Sequence, residues 1–252
     1  MHMFGAMYAP SDQLNLLAMA NIVQKKMDHI TFMGASGTNI LGNFSTSTKG
    51  FGDLSLSALI KILSSTNHKA HLTAGLSLPT GSIKKTDEIL TPMNMRPSAI
   101  LPYPMQLGSG TVDAIAGITY SGSRGALSWG GQTRSILRLG NNSRGYSLGD
   151  EHTAQAWLSS LINSQLSVSL RTAYFHRSNI TNTDSEVMLP VQSADPNRQK
   201  INRLDIGVGL NFIFPNNLNR LAIEYTIPIH QQLAGPQLKN DWGITIGWQL
   251  TL

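Results

Sequence analysis

The chain has no cysteine in its 252 residues, which excludes disulfides, cysteine-ligated zinc and cysteine nucleophiles and is compatible with an oxidising periplasm. No apolar run approaches the roughly 18 uninterrupted residues expected of a membrane-spanning helix. Charge is scarce too, at 13% of the residues against about a quarter in ordinary globular domains. The formal net charge is +5 and the pI about 9.6. The basic residues are scattered, however, with no Lys/Arg-rich run interleaved with aromatics, so no nucleic-acid partner is implied. HExxH and GxxxxGKS/T are missing, and GSGTVD at 108–113 lacks the third glycine of a dinucleotide fingerprint, so no cofactor is implied. The opening MHMFGAMYAP lacks the basic start, apolar core and small-residue cleavage site of a secretory signal.

What the chain does have is glycine, serine, threonine and asparagine in abundance and a strict two-residue alternation. Its mean hydropathy of −0.08 does not exclude a membrane, because barrel strands alternate apolar with polar residues and escape hydropathy scans. In 241–252, Trp242, Ile244, Ile246, Trp248, Leu250 and Leu252 alternate with Gly243, Thr245, Gly247, Gln249 and Thr251. Segments 219–230 and 203–214 repeat the pattern, and 165–175 sets Leu166, Val168 and Leu170 against Ser167, Ser169 and Arg171. A helix would not keep that period. With 151–161, 125–139, 107–120, 68–79, 51–63, 13–25 and 1–9, the reading gives about eleven strands.

Connections alternate in length. Brief links fall around Pro10–Asp12, Ser65–Asn67, Ser121–Ser123, Asn163–Ser164 and Pro215–Asn217, all rich in turn residues. Long polar segments fall at 34–50, 80–106, 140–150, 178–200 and 231–240. Short turns at one rim and long loops at the other are the pattern of an up-and-down antiparallel transmembrane β-barrel, here one domain over 1–252 in a bacterial outer membrane. Because an odd strand count leaves the N-terminus at the outer rim, whereas bacterial barrels usually have even counts, a twelfth strand and a signal peptide are expected before Met1. A gap beside strand 1 follows. The alternative is a soluble β-sandwich or lipocalin-like barrel, in which eleven apolar faces would have to fill one core.

Residue stretches across the chain resemble a known family of outer-membrane proteins, the meta-pathway of phenol degradation ("transporter") family. They are GFGDLSLSALIKIL at 50–63, GLSLPTGSI at 75–83, YPMQLGSGTVDAIAGITY at 103–120 and WGITIGWQLTL at 242–252. The opening MHMFGAMYAPSDQLNLLAMA is similar to the family's second and third strands. This resemblance implies a porin-like channel taking up or exporting small compounds, aromatic or hydrophobic ones among them, and it supplies no catalytic residues. Leu252 departs from the aromatic residue that ends many outer-membrane barrels.

If the apolar faces meet lipid, the opposite parity lines the lumen with Asp53, Lys61, Asp113, Arg134, Arg138, Arg171, Arg203, Asp205, Arg220 and Glu224, mixed in sign. Twelve strands give a backbone radius of about 12 Å. A second candidate is the parity series Met19, Met27, His29 and Met33, whose thioethers and imidazole suit a soft metal ion such as Cu(I); packing by flexible methionine is the alternative. Ser143 in NNSRG has no histidine two residues before it, so no enzyme is expected. Partners are outer-membrane lipid, small solutes and, during biogenesis, the barrel-assembly machinery, with the barrel itself monomeric. Three functions stay open: a passive channel, a soft-metal (copper or silver) channel, and a non-conducting structural or interaction barrel.

Overall fold

The structure is a computed structural model, and it describes all residues except 35, 36, 188, 190, 216, 217 and 252. Its strands are β1 (His2–Ser11), β2 (Leu14–Phe32), β3 (Ile40–Phe51), β4 (Leu54–Ser64), β5 (His68–Leu78), β6 (Thr86–Glu88), β7 (Ser98–Ile100), β8 (Asp113–Arg124), β9 (Leu127–Arg138), β10 (Glu151–Leu161), β11 (Leu166–Arg177), β12 (Ile201–Ile213), β13 (Asn219–Leu233) and β14 (Gly243–Leu250). All but β6 and β7 belong to one antiparallel sheet, ordered β1-β2-β4-β5-β8-β9-β10-β11-β12-β13-β14, with β3 also paired to β2.

Strands β3 and β4 are one long strand interrupted by a bulge. Both pair with β2, Ile22 facing Phe51 and Met19 facing Ser55, so one extra residue lies on the β3–β4 side. At the break, Gly52 donates its N–H to the Asn21 carbonyl at 3.0 Å. A Cβ on Gly52 would sit 1.9 Å from Asn21 Oδ1, so a larger residue there would require the Asn21 side chain to move. Counted this way the wall has eleven strands among the described residues. It ends at β1 and β14, which are not paired with each other.

Cross-strand register assigns the two faces. On β11 the outward residues are Leu166, Val168, Leu170, Thr172, Tyr174 and His176, and across from them stand Phe212, Leu210, Val208, Ile206, Leu204 and Asn202 of β12. Many outward side chains are open to the surroundings, Val208 at 57%, Ile246 at 68% and Trp248 at 68%. A contiguous apolar surface of this extent far exceeds the few hundred Å² that soluble monomers expose. From Leu166 to Tyr174 the strand runs about 26 Å, or about 20 Å of height at a barrel tilt near 40°. That approximates the apolar band of a bilayer, with the polar pair His176 and Asn202 immediately above it. At the short-turn rim Trp129 and Tyr120 stand beside His68, whose Nδ1 lies 2.7 Å from Tyr120 Oη. At the long-loop rim Tyr225 stacks with Trp242.

Several expected boundaries shift, each for a local reason. Segment 34–50 is not a loop: β2 runs to Phe32 and β3 begins at Ile40. Between Gln24 and Asp28 and along Ser45–Lys49 this hairpin's outward residues are polar, so it lacks the alternation that marks the wall. Residues Ser121–Ser123 lie inside β8 rather than in a turn, and Gly122 is there because the Trp129 ring covers it; a Cβ would lie 2.6 Å from that ring. The turn itself uses Gly125, at φ 59°. Residues 107–112, expected in a strand, belong instead to the segment folded inside. Of the expected Pro215–Asn217 turn, Asn216 and Asn217 lie outside the described residues, as does Leu252.

Candidate functional site: the lumen and its in-folded segments

The wall curls around a cavity of about 810 Å³ that residues of β1, β2, β4, β5, β9, β10 and β11 all face. Into its mouth fold the long connections 79–112, 139–150 and 178–200. They carry the molecule's compact apolar cluster, Tyr103, Tyr146 and Ile180 with Leu148 against them. The two tyrosine rings meet edge to face at 4.9 Å, and Tyr103 Oη accepts the Asp184 N–H at 3.1 Å. Burial pushes both phenols up, Tyr146 to about 12.

Segment 79–112 is pinned to the wall through charged and hydroxyl groups. The Asp53 carboxylate, freed from the strand ladder at the bulge, accepts N–H groups from Gly81 at 2.9 Å and Ser109 at 2.7 Å. Lys25 donates to the Pro104 carbonyl at 2.7 Å and the Gln106 carbonyl at 2.5 Å. Thr48 donates to the Met105 carbonyl, and Thr31 to that of Leu90. Gln106 staples the segment to itself through Lys85 N–H and the Leu101 carbonyl. Above it, Arg144 is paired with buried Asp184 and lies 3.0 Å from Glu186. The hydrogen bond to Asp184 holds the Arg144 guanidinium above its ordinary pKa.

The ten residues expected to line the lumen all lie on the inward parity, but they form separate groups. Arg138 bonds Asp113 at 2.5 Å and Glu151 at 3.3 Å, with Asp113 wholly buried. Arg171 is paired with Glu224 and reaches Gln155 at 3.0 Å. Gln155 bonds Gln132 and Gln132 bonds Thr119, so a polar belt crosses the inner wall from β8 to β13. The belt passes over β12 at Gly207, where a Cβ would lie 3.1 Å from the Glu224 carboxylate. Arg203 pairs with Asp205 at 3.0 Å and sits over Phe175. Lys61 and Arg220 stand near the short-turn rim, Arg220 bonding Asn211. Asp53 and Arg134 face the cavity.

Met19, Met27, His29 and Met33 form a row rather than a shell. At about 3.3 Å per residue Met19 and His29 are about 33 Å apart along β2. The His29 ring stacks on Phe44 at 4.5 Å and its Nε2 lies 2.9 Å from Thr46 Oγ1, while Met33 is exposed beyond the strand. Ser143 is exposed in the 139–150 connection. Sequence reasoning missed Lys25, Glu151, Arg177 and Tyr103, all facing the cavity. Lys25 and Arg177 fall at or just past the ends of the apolar alternation, and only continuing its parity would have found them.

A family profile described as "Putative MetA-pathway of phenol degradation" matches residues 27–227. The crystal structure of an outer membrane channel from Pseudomonas putida F1 superposes with a TM-score of 0.60 at 14% identity, over 97% of this chain and 78% of that one. OmpT, an outer membrane protein of Vibrio cholerae, superposes at 0.46 with 9% identity, over 98% of this chain and 63% of that one. Nothing among curated protein sequences matches. The fold is the outer-membrane β-barrel fold.

Proposed function

Since the chain belongs to the MetA-pathway of phenol degradation family, we propose that it is a passive outer-membrane channel for small solutes, aromatic or hydrophobic ones included. The observation that carries this reading is the polar inner face around a cavity of about 810 Å³, inside a wall whose outer face is apolar. A wall apolar outside and hydrogen-bonded inside suits a wet path across lipid. The similarity in fold to the Pseudomonas putida outer membrane channel supports it too. The in-folded segments set the bore: Tyr103, Gln106 and Leu107 face the cavity and are held by the Lys25 and Asp53 bonds. Passage needs no energy source, and selectivity comes from the groups at the narrowing.

The test is single-channel recording in planar bilayers, first in salt and then with phenol added. Stable conductance steps that phenol blocks are the expected result. A folded protein that inserts and stays silent would move the reading to a closed structural barrel.

A further inference from the structure

We propose that the cavity beside β9, β10 and β11 binds small organic anions, a carboxylate carried on an apolar body, so that the channel prefers such anions; this rests on the channel reading above. The inner wall is not evenly compensated. On one flank each cation has its own carboxylate, Arg171 with Glu224 and Arg203 with Asp205. On the other, Lys25, Arg134, Arg138 and Arg177 all face the cavity, whose own carboxylates are Asp53 and Glu151.

Those carboxylates are already engaged. Asp53 accepts two backbone N–H groups of the in-folded segment. Glu151 bonds Arg138, which also holds Asp113. Arg177 stands across from Glu151 in the strand register, yet its buried Nε has no hydrogen-bond partner, and its Nη2 reaches only the Gln199 carbonyl at 3.5 Å. The Arg134 side chain also lines the cavity; it lies within the field of Glu151 but forms no side-chain hydrogen bond or ion pair among the described residues. Two guanidiniums therefore face the cavity with donors to spare. A guanidinium fork in a low-dielectric wall matches a carboxylate in shape and charge and raises the local concentration of anions. The rest of the lining supplies the apolar half: Tyr103, Leu107, Leu148, Ile136 and Ile180 face the same space. Inorganic phosphate would satisfy the forks but leave that surface without a partner.

The experiment is reversal-potential measurement in a potassium chloride gradient, followed by block with benzoate, its neutral counterpart benzyl alcohol, and inorganic phosphate. Wild type should favour chloride, and benzoate should block at about tenfold lower concentration than benzyl alcohol or phosphate. In the double variant Arg134→Gln/Arg177→Gln the chloride preference should largely vanish and the benzoate advantage fall about tenfold. Arg134→Lys/Arg177→Lys should keep the chloride preference, and Arg124→Gln, at the short-turn rim, should change nothing. Heat-dependent electrophoretic mobility verifies that each variant is folded.

A conducting wild type with no chloride preference, or a double variant that keeps the benzoate advantage, overturns the proposal. Phosphate blocking as well as benzoate overturns the apolar-body part of it. If no variant conducts, the channel reading fails, and calorimetric titration of benzoate into detergent-solubilised protein decides the site. Binding that the double variant loses upholds the site, and equal or absent binding overturns it.

Discussion

The strand wall and the segments folded inside it pack in opposite senses. On the wall, large apolar side chains such as Val208, Leu170 and Ile246 point away from the protein, while arginine, glutamine and glutamate meet one another within. In the in-folded connections, Tyr103, Tyr146 and Ile180 are buried against each other, as in a soluble domain. Lipid replaces the core for the first region, and the second must build its own. The difference explains why charge is so scarce overall: the outward face has no use for it, and the inward face needs it in matched groups. It also separates two kinds of stability, one set by the bilayer and the other by hydrogen bonds within the mouth.

The largest effect that would sharpen this contrast comes from placing the same charge on the two faces. Val208→Arg puts a cation in the middle of the apolar band and should cost about 2–4 kcal/mol of folding stability in vesicles. Thr73→Arg, on the cavity side, should cost less than about 1 kcal/mol by the same urea titration. Equal costs on both faces would contradict the assignment of inside and outside.

Next in size is the loss of Arg144. Arg144→Ala leaves the Asp184 carboxylate, 2% exposed, without its partner in a buried setting, at a cost of about 3 kcal/mol. Because that cost falls on the mouth and not on the wall, limited proteolysis should cut within 178–200 much faster while the barrel stays protease-resistant. A variant that unfolds as a whole would show that the two regions are not separable.

A smaller effect concerns pH. Tyr146 holds its proton up to about 12 in the folded mouth, whereas an unfolded tyrosine ionises near 10. The folded-state value is raised, so this stabilisation is complete below about 10 and is lost as pH rises from about 10 to 12. Tyrosinate absorbance should show a late component near pH 12 that Tyr146→Phe removes. Its absence would place Tyr146 in contact with water.

Most of the wall was legible in the sequence because lipid on one side and water on the other impose a period of two that nothing local disturbs. Ile244, Ile246 and Trp248 could be placed on one face without any contact information. The parity also put Arg171, Arg203 and Glu224 inside. Their grouping into pairs depended on register and on the glycines of β12 that let Arg171 reach Glu224, which a one-dimensional pattern does not carry. The β2–β3 hairpin escaped because its outward residues along Ser45–Lys49 are polar. Nor was the in-folded segment legible: Pro104 and Gln106 are held by Lys25, 79 and 81 positions away, and Ser109 by Asp53, 56 positions away. The Met19 to Met33 series shows the converse limit, since a shared face along a strand does not bring side chains to one point.

Whether solutes pass through the lumen beneath a segment held by Asp53 is tested most directly by the single-channel conductance of Asp53→Ala beside wild type. Removing the carboxylate breaks the bonds to Gly81 and Ser109, each charge-assisted and worth about 1.5–3 kcal/mol, so segment 79–112 should loosen at that end. Larger or more frequent openings are expected in the variant, with both proteins folded. Identical conductance would mean that the segment does not narrow the path and that solutes do not pass beneath it.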